Sequence, residues 1–141
     1  MKTIHSLIII SGLALILPNT VNAKPLCPSQ NFNQFLKAFE NNVSIQKRFT
    51  KNPLQWRSYT DSYEAPTTVL KSVKNITWPI MPNAKEQKSQ SLSVKTKTLN
   101  SGGKKVFVGS VDGDDYIMNY YFYRKAGCWQ LKRVDDLSLN N

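Results

Sequence analysis

The side chains that carry most enzyme chemistry are sparse in this sequence, and their placement narrows what the chain can do. The one histidine, His5, lies within an N-terminal segment built like a removable leader. Without it the chain has no imidazole for a Ser-His-Asp or Cys-His arrangement, nor for a usual catalytic zinc site. The two cysteines, Cys27 and Cys128, are an even count in a chain that reads as exported. A disulfide between them is expected, and it would remove both thiols as nucleophiles. Carboxylates remain, clustered only at Asp112-Gly113-Asp114-Asp115 and Asp135-Asp136. Paired carboxylates can drive glycoside hydrolysis, so a small exported enzyme relying on Asp112 or Asp135 is the catalytic alternative. The first cluster lacks the alternating oxygen ligands and distant glutamate of an EF-hand. Asp-Gly is the chemistry of a hairpin turn, whose aspartates are ordinarily solvated. Neither a metal nor a cofactor is expected.

Binding chemistry is better represented. The chain has 19 Lys+Arg against 9 Asp+Glu. Removal of the leader takes only Lys2, so 18 − 9 leaves a formal +9. Such a charge favours anionic partners: an envelope polymer, a lipid head group or an acidic protein. The basic residues are mostly scattered singly, and no five-residue run of them marks a nucleic-acid tail, so nucleic acid is not the expected partner. The clearest local grouping is Lys95 and Lys97, two residues apart on a candidate strand, with Lys104 and Lys105 just past the next turn. A hairpin there would bring the four lysines near one another as a candidate anion-binding site. The same lysines would also discourage edge-to-edge sheet aggregation. Tyr116, Tyr120, Tyr121, Tyr123, Trp56, Trp78 and Trp129 could fill a core or line a pocket for a small apolar ligand.

Several elements must position these groups. Residues 1–23 read as a signal peptide: Lys2 supplies the positive end, residues 7–17 are apolar, and Val21-Asn22-Ala23 sets up cleavage between Ala23 and Lys24. The apolar run is short of the about 20 residues of a spanning helix, so no transmembrane segment is expected. The mature chain, residues 24–141, is long enough for a single domain with one core. Its expected location is secreted or periplasmic.

The chain is organised around residues 104–136, where three runs rich in β-branched and aromatic residues are separated by Asp/Gly-rich breaks. This is the pattern of an antiparallel meander. A four-residue loop around Gly127 is expected, because it puts Phe122 and Trp129 on one face and spares Ala126 a positive φ. Upstream, Phe32, Phe35, Leu36 and Phe39 recur at i, i+3, i+4 and i+7, one apolar stripe of a helix capped by Ser29 and leaving at Asn41-Asn42. Ser44 would cap a second helix carrying Ile45 and Phe49, ended by Asn52-Pro53. Residues 54–82 are ambiguous: Trp56, Tyr59 and Tyr63 suit helix or strand, and residues 69–73 and 76–81 are strand candidates. Residues 84–90 read as a loop. Residues 91–99 alternate as a half-buried strand with Leu92 and Val94 inward, followed by a turn over residues 100–103.

The predicted fold class is α+β: two N-terminal helices packed on a curved antiparallel sheet that ends in a three-strand meander. The stretches FNQFLKAFENN and QKRFTKNPL, and the ending YFYRKAGCWQLKRVDDLSL, resemble a family of small exported bacterial proteins of unknown function. That family has a cone-shaped fold similar to nuclear transport factor 2. The resemblance spans both ends of the mature chain and leaves residues 54–100 unsupported. It implies fold and compartment and brings no catalytic motif. The functional expectation is an exported, non-enzymatic binding or interaction protein. It would act through an apolar pocket or through a basic surface.

Overall fold

A computed structural model describes residues 26–60, 67–111 and 116–138. The leader with its Ala23–Lys24 cleavage site, Tyr63 and the Asp112–Asp115 cluster lie outside the described residues. The order is α1 (Phe32–Asn41), α2 (Val43–Phe49), β1 (Thr50–Thr60), β2 (Thr67–Val73), α3 (Ala84–Ser89), β3 (Leu92–Thr98), β4 (Lys104–Ser110), β5 (Ile117–Lys125) and β6 (Cys128–Asp136). The strands form one six-stranded sheet in the order β2-β1-β6-β5-β4-β3. Neighbours pair antiparallel except β1 and β6, which run parallel. The α+β class and the terminal meander are as expected, with the parallel β1–β6 contact making the sheet mixed.

Helix α1 forms where its apolar stripe requires, and Phe32, Phe35, Leu36 and Phe39 are all buried. Its N-cap is Asn31, whose side chain accepts from the Asn33 and Gln34 amides. Ser29 sits outside the cap and accepts from the Asn31 amide. Likewise Asn42, not Ser44, caps α2, accepting from the Ser44 and Ile45 amides. Asn and Asp rank with Ser as caps, so the correct choice depends on where the first turn starts. α2 stops at Phe49 instead of reaching Asn52-Pro53, and β1 runs through that proline. The strand tolerates it because the β1–β6 register shifts between Thr50 and Gln55, and an irregular segment needs no ladder hydrogen bond there.

The meander contains two local departures from regular geometry. Lys125 pairs with Cys128, so the β5–β6 turn has two residues, Ala126 at φ 50° and Gly127 at φ 79°. The expected four-residue loop is therefore not used. A tight turn with both central residues left-handed matches the twist of the flanking strands, which outweighs the strain at Ala126. Further along, Tyr121 opposes Arg133 while Phe122 opposes Leu131, leaving Lys132 as an extra residue. This bulge reverses the alternation of β6. Trp129 and Leu131 on one side of it, and Val134 on the other, all turn to the same inner face and are buried. Phe122 and Trp129 thus share the core face, as the sequence pattern required.

Beneath the helices the core is aromatic. Phe122 meets Phe32, Phe35 and Phe39 edge-on at centroid distances of 5.5, 6.0 and 5.2 Å. Phe32 also abuts Trp129 at 4.9 Å. Tyr120, Val106, Val108 and Leu131 are fully buried beside them. These side chains belong to one contiguous cluster of buried residues among those described.

Two other segments differ from expectation. Residues 76–81 form no strand; they are irregular, yet Ile80 and Met81 are buried in the core. Their backbone groups are paired by a side chain. Gln46, fully buried on α2, accepts from the Ile80 and Met81 amides and donates to the Met81 carbonyl. Tyr120 adds a hydrogen bond to the Ile80 carbonyl at 3.0 Å. Residues 84–89 form a short helix where a loop was expected. A capping box starts it: the Asn83 side chain accepts from the Glu86 amide and Glu86 accepts from the Asn83 amide.

Candidate functional site

Opposite the helices, the outer face of the sheet gathers cations. Strand alternation and register place Lys95 and Lys97 of β3, Lys105 of β4, Arg133 of β6 and Arg57 of β1 on that face. Lys97 stands directly cross-strand from Lys105, and Lys95 from Phe107. Lys104 is different. It pairs with Thr98 and projects to the inner side, its Nζ donating to the Thr98 hydroxyl at 2.6 Å. The hairpin therefore brings together three of the four candidate lysines and turns the fourth away. Val94 likewise faces the inner side but stays 37% exposed, on the edge strand β3.

Two tyrosines extend this basic face. Arg133 lies over the Tyr121 ring at 3.8 Å and Lys132 over the Tyr123 ring at 5.4 Å, both within cation–π range. Tyr123 packs close against the β3–β4 turn: a Cβ on Gly103 would fall 2.7 Å from a ring carbon of Tyr123. With Lys97, Asn100 and Ser101, these tyrosines and Arg133 line a shallow groove of about 490 Å³. Burial raises the Tyr121 hydroxyl above its ordinary pKa, with Asp135 adding to the rise and Arg133 opposing it. The phenol stays protonated.

Asp135 is the one acid that register places on the described part of this face, and it is already engaged. It is 4% exposed and lies 3.0 Å from Arg133 Nε and 3.9 Å from Arg57 Nε. The shorter contact is an ion pair without hydrogen-bond alignment. Asp135 is buried because β6 continues through it, between β1 and β5. Its neighbour Asp136 follows on the strand and so faces the other way, where it accepts from the Ser138 amide. The two carboxylates do not converge into an acid–base pair.

A second feature lies at the β1–β2 end of the sheet. Trp56, Val73, Ile76, Pro79 and Ile80, with Asn75 and Thr77, line an open, mainly apolar cleft of about 360 Å³. The Gln46 and Tyr120 hydrogen bonds described above fix the loop that forms one wall. Of the other aromatics singled out from sequence, Tyr120 and Trp129 are core residues, and Trp78 and Tyr116 pack against the core. Burial raises the pKa of both the Tyr116 and Tyr120 hydroxyls, which bond to each other at 3.1 Å.

Cys27 and Cys128 form a disulfide, with Cα atoms 5.5 Å apart across 101 residues of sequence. Trp129 Nε1 and Arg124 reinforce the junction by donating to the Gln30 carbonyl at 3.0 and 2.8 Å. Among the described residues no helix is long and apolar enough to cross a membrane.

Sequence reasoning missed the contribution of Arg133, Arg57, Tyr121 and Tyr123 to the basic face. A sequence signal existed only for the spacing of Tyr121 and Tyr123. The arginines become visible once the bulge at Lys132 sets the parity of β6.

No protein-family model matches the chain, and a search of curated proteins finds no match. Its structure is similar to the crystal structure of an NTF2-like protein from Bacteroides fragilis, with a TM-score of 0.54 and 18% sequence identity. The similarity covers 77% of this chain, which spans 47% of that protein. The chain has the NTF2-like cone fold. At this identity the likeness describes the fold alone.

Proposed function

We propose that the protein is an exported, non-catalytic binding protein that holds an anionic envelope component on the outer face of its sheet. The observation that carries this reading is the Lys97–Lys105 cross-strand pair, flanked by Lys95 and Arg133. Like charges directly opposite on a sheet are destabilising, and edge protection alone would be met by the lysines of the edge strand. Lys105 lies on an inner strand, so edge protection does not account for it. Residues two apart on a strand are separated by about 6.8 Å and neighbouring strands by about 4.8 Å. Repeated phosphate or carboxylate groups on a polymer or a membrane surface can meet several of these cations at once.

A signal peptide over residues 1–23, cleavage before Lys24 and a single mature domain over 24–141 belong to the same proposal. The disulfide supports export, since such bonds persist in oxidising compartments. N-terminal sequencing of the protein from its native host should begin at Lys24; a retained Met1 would contradict export by this route.

Electrostatic retention implies salt sensitivity. From about 0.01 M to about 1 M salt the screening length falls from ~30 Å to ~3 Å. Binding to vesicles of phosphatidylglycerol and phosphatidylcholine, or to a soluble polyanion, should be strong at the lower salt and lost at the higher. The two probes separate a membrane surface from a free polymer. Binding to neither at low salt would refute the proposal.

The Trp56 cleft supports a second reading, a site for a small apolar ligand. Its support is the mainly apolar wall of Trp56, Val73, Ile76, Pro79 and Ile80, left open beside the buried core. Uptake of an uncharged apolar ligand there should be insensitive to salt.

A further inference from the structure

The apolar cleft has a cation beside it that its lining alone does not reveal. β1 and β2 pair so that Leu54 opposes Val73, Trp56 opposes Lys71 and Ser58 opposes Val69. Trp56 and Val73 both line the cleft, so the side of the ribbon they share is the cleft side. Residues two apart on a strand share a face. Lys71 therefore rises on the cleft side, next to Val73 along β2 and directly across from Trp56. Opposed side chains on an antiparallel pair have Cβ atoms about 4.5–5.5 Å apart. Lys71 is exposed, and neither ion pair among the described residues involves it. Its long stem can lie along the indole while the ammonium stays in water at the cleft's rim.

We propose that the cleft binds a single-chain amphiphile with an anionic head, the chain on Trp56, Ile76, Pro79 and Ile80 and the head at Lys71. This inference rests on the second reading above and names its ligand class. The volume of about 360 Å³ is near the lower end of small-molecule sites, which favours one short chain over a two-chain lipid. Asn75 and Thr77 supply further polar groups in the lining. The charge complementarity is specific. An alcohol of equal chain length has the same apolar body and lacks the attraction to Lys71.

The test compares decanoate, decanol and decyl phosphate by calorimetry on the mature, oxidised chain, with Lys71→Gln, Ile76→Ser and the exposed helix variant Lys37→Gln. An exposed ion pair is worth up to about 1 kcal/mol, so wild type should hold decanoate up to about fivefold more tightly than decanol. Lys71→Gln should abolish that preference and leave decanol unchanged. Ile76→Ser should weaken all three probes, and Lys37→Gln should weaken none. Comparable gains for decanoate and decyl phosphate would mean that any anionic head suffices. A gain for one alone would identify the head. Equal binding of decanoate and decanol by wild type, or an undiminished preference in Lys71→Gln, overturns the anionic head while the apolar cleft stands. Binding unaffected by Ile76→Ser places the ligand elsewhere and overturns the inference. Failure of wild type to bind any of the three probes overturns both the inference and the apolar reading.

Discussion

Replacing Phe122 by alanine is expected to remove about 3–5 kcal/mol of folding stability, the range for deleting a large buried aromatic. Phe122 is fully buried and meets the rings of Phe32, Phe35 and Phe39 at 5.2–6.0 Å, so one side chain joins β5 to the length of α1. Lost burial is the larger part of the effect. The aromatic pairs add about 0.5–1.5 kcal/mol each before relaxation, and they are not additive. Small domains have only about 5–15 kcal/mol in total. The variant should therefore unfold at a much lower urea concentration, with the slope of the transition unchanged. A loss below about 1 kcal/mol would mean that the helices do not pack on this ring.

The second large effect should come from the disulfide. The Cys27–Cys128 bond closes a loop with a sequence separation of 101 residues, nearly the whole described chain. In the chain-entropy model a loop of about 100 residues is worth about 4.7 kcal/mol, and measured values often fall below the model. The double Cys27→Ser, Cys128→Ser variant is expected to lose about 3–5 kcal/mol in urea denaturation. Removing the bond takes the covalent tie from residues 27–31 and leaves the Trp129 and Arg124 hydrogen bonds to the Gln30 carbonyl to hold them. Gln30 precedes the α1 cap, so the start of that helix should fray first. An oxidised wild type and a double variant of equal stability would contradict this account of the bond.

The parts of the fold legible in sequence were those written as period. The α1 stripe at Phe32, Phe35, Leu36 and Phe39 and the three runs of the meander declare their buried faces through spacing alone. What escaped depends on contacts distant in sequence. Residues 76–81 looked like a strand because they are apolar, but Gln46, 34 residues before Ile80, satisfies their backbone without a ladder. The parallel β1–β6 contact has no local signature. Helix α3 is the exception, since Asn83 and Glu86 are a readable capping box at the head of a polar segment.

The candidate site shows the same division. Lys95 and Lys97 share a face by alternation, and Lys105 joins them by register. Alternation alone sets Lys104 and Lys105 on opposite faces, and which of them joins Lys95 and Lys97 follows from the turn, which pairs Thr98 with Lys104. The Arg133 contribution depends on the bulge at Lys132, where one extra residue redirects the side chains that follow. Asp135 was legible as an acid but not as a buried one, because its burial comes from strands β1 and β5 on either side of β6.

That separation of the lysines supplies the most direct test of the central claim. Binding to phosphatidylglycerol vesicles at low salt should be compared for wild type, the triple Lys95→Gln, Lys97→Gln, Lys105→Gln variant, and Lys104→Gln alone. Each lysine close to an anionic surface contributes about 1 kcal/mol. The triple variant should therefore bind at least about tenfold more weakly, allowing for incomplete contact. Lys104→Gln removes a lysine from the same hairpin but from its other face, and it should bind nearly as wild type does. Equal binding by wild type and the triple variant, or a Lys104→Gln defect as large as that of the triple variant, would contradict a site on the outer sheet face.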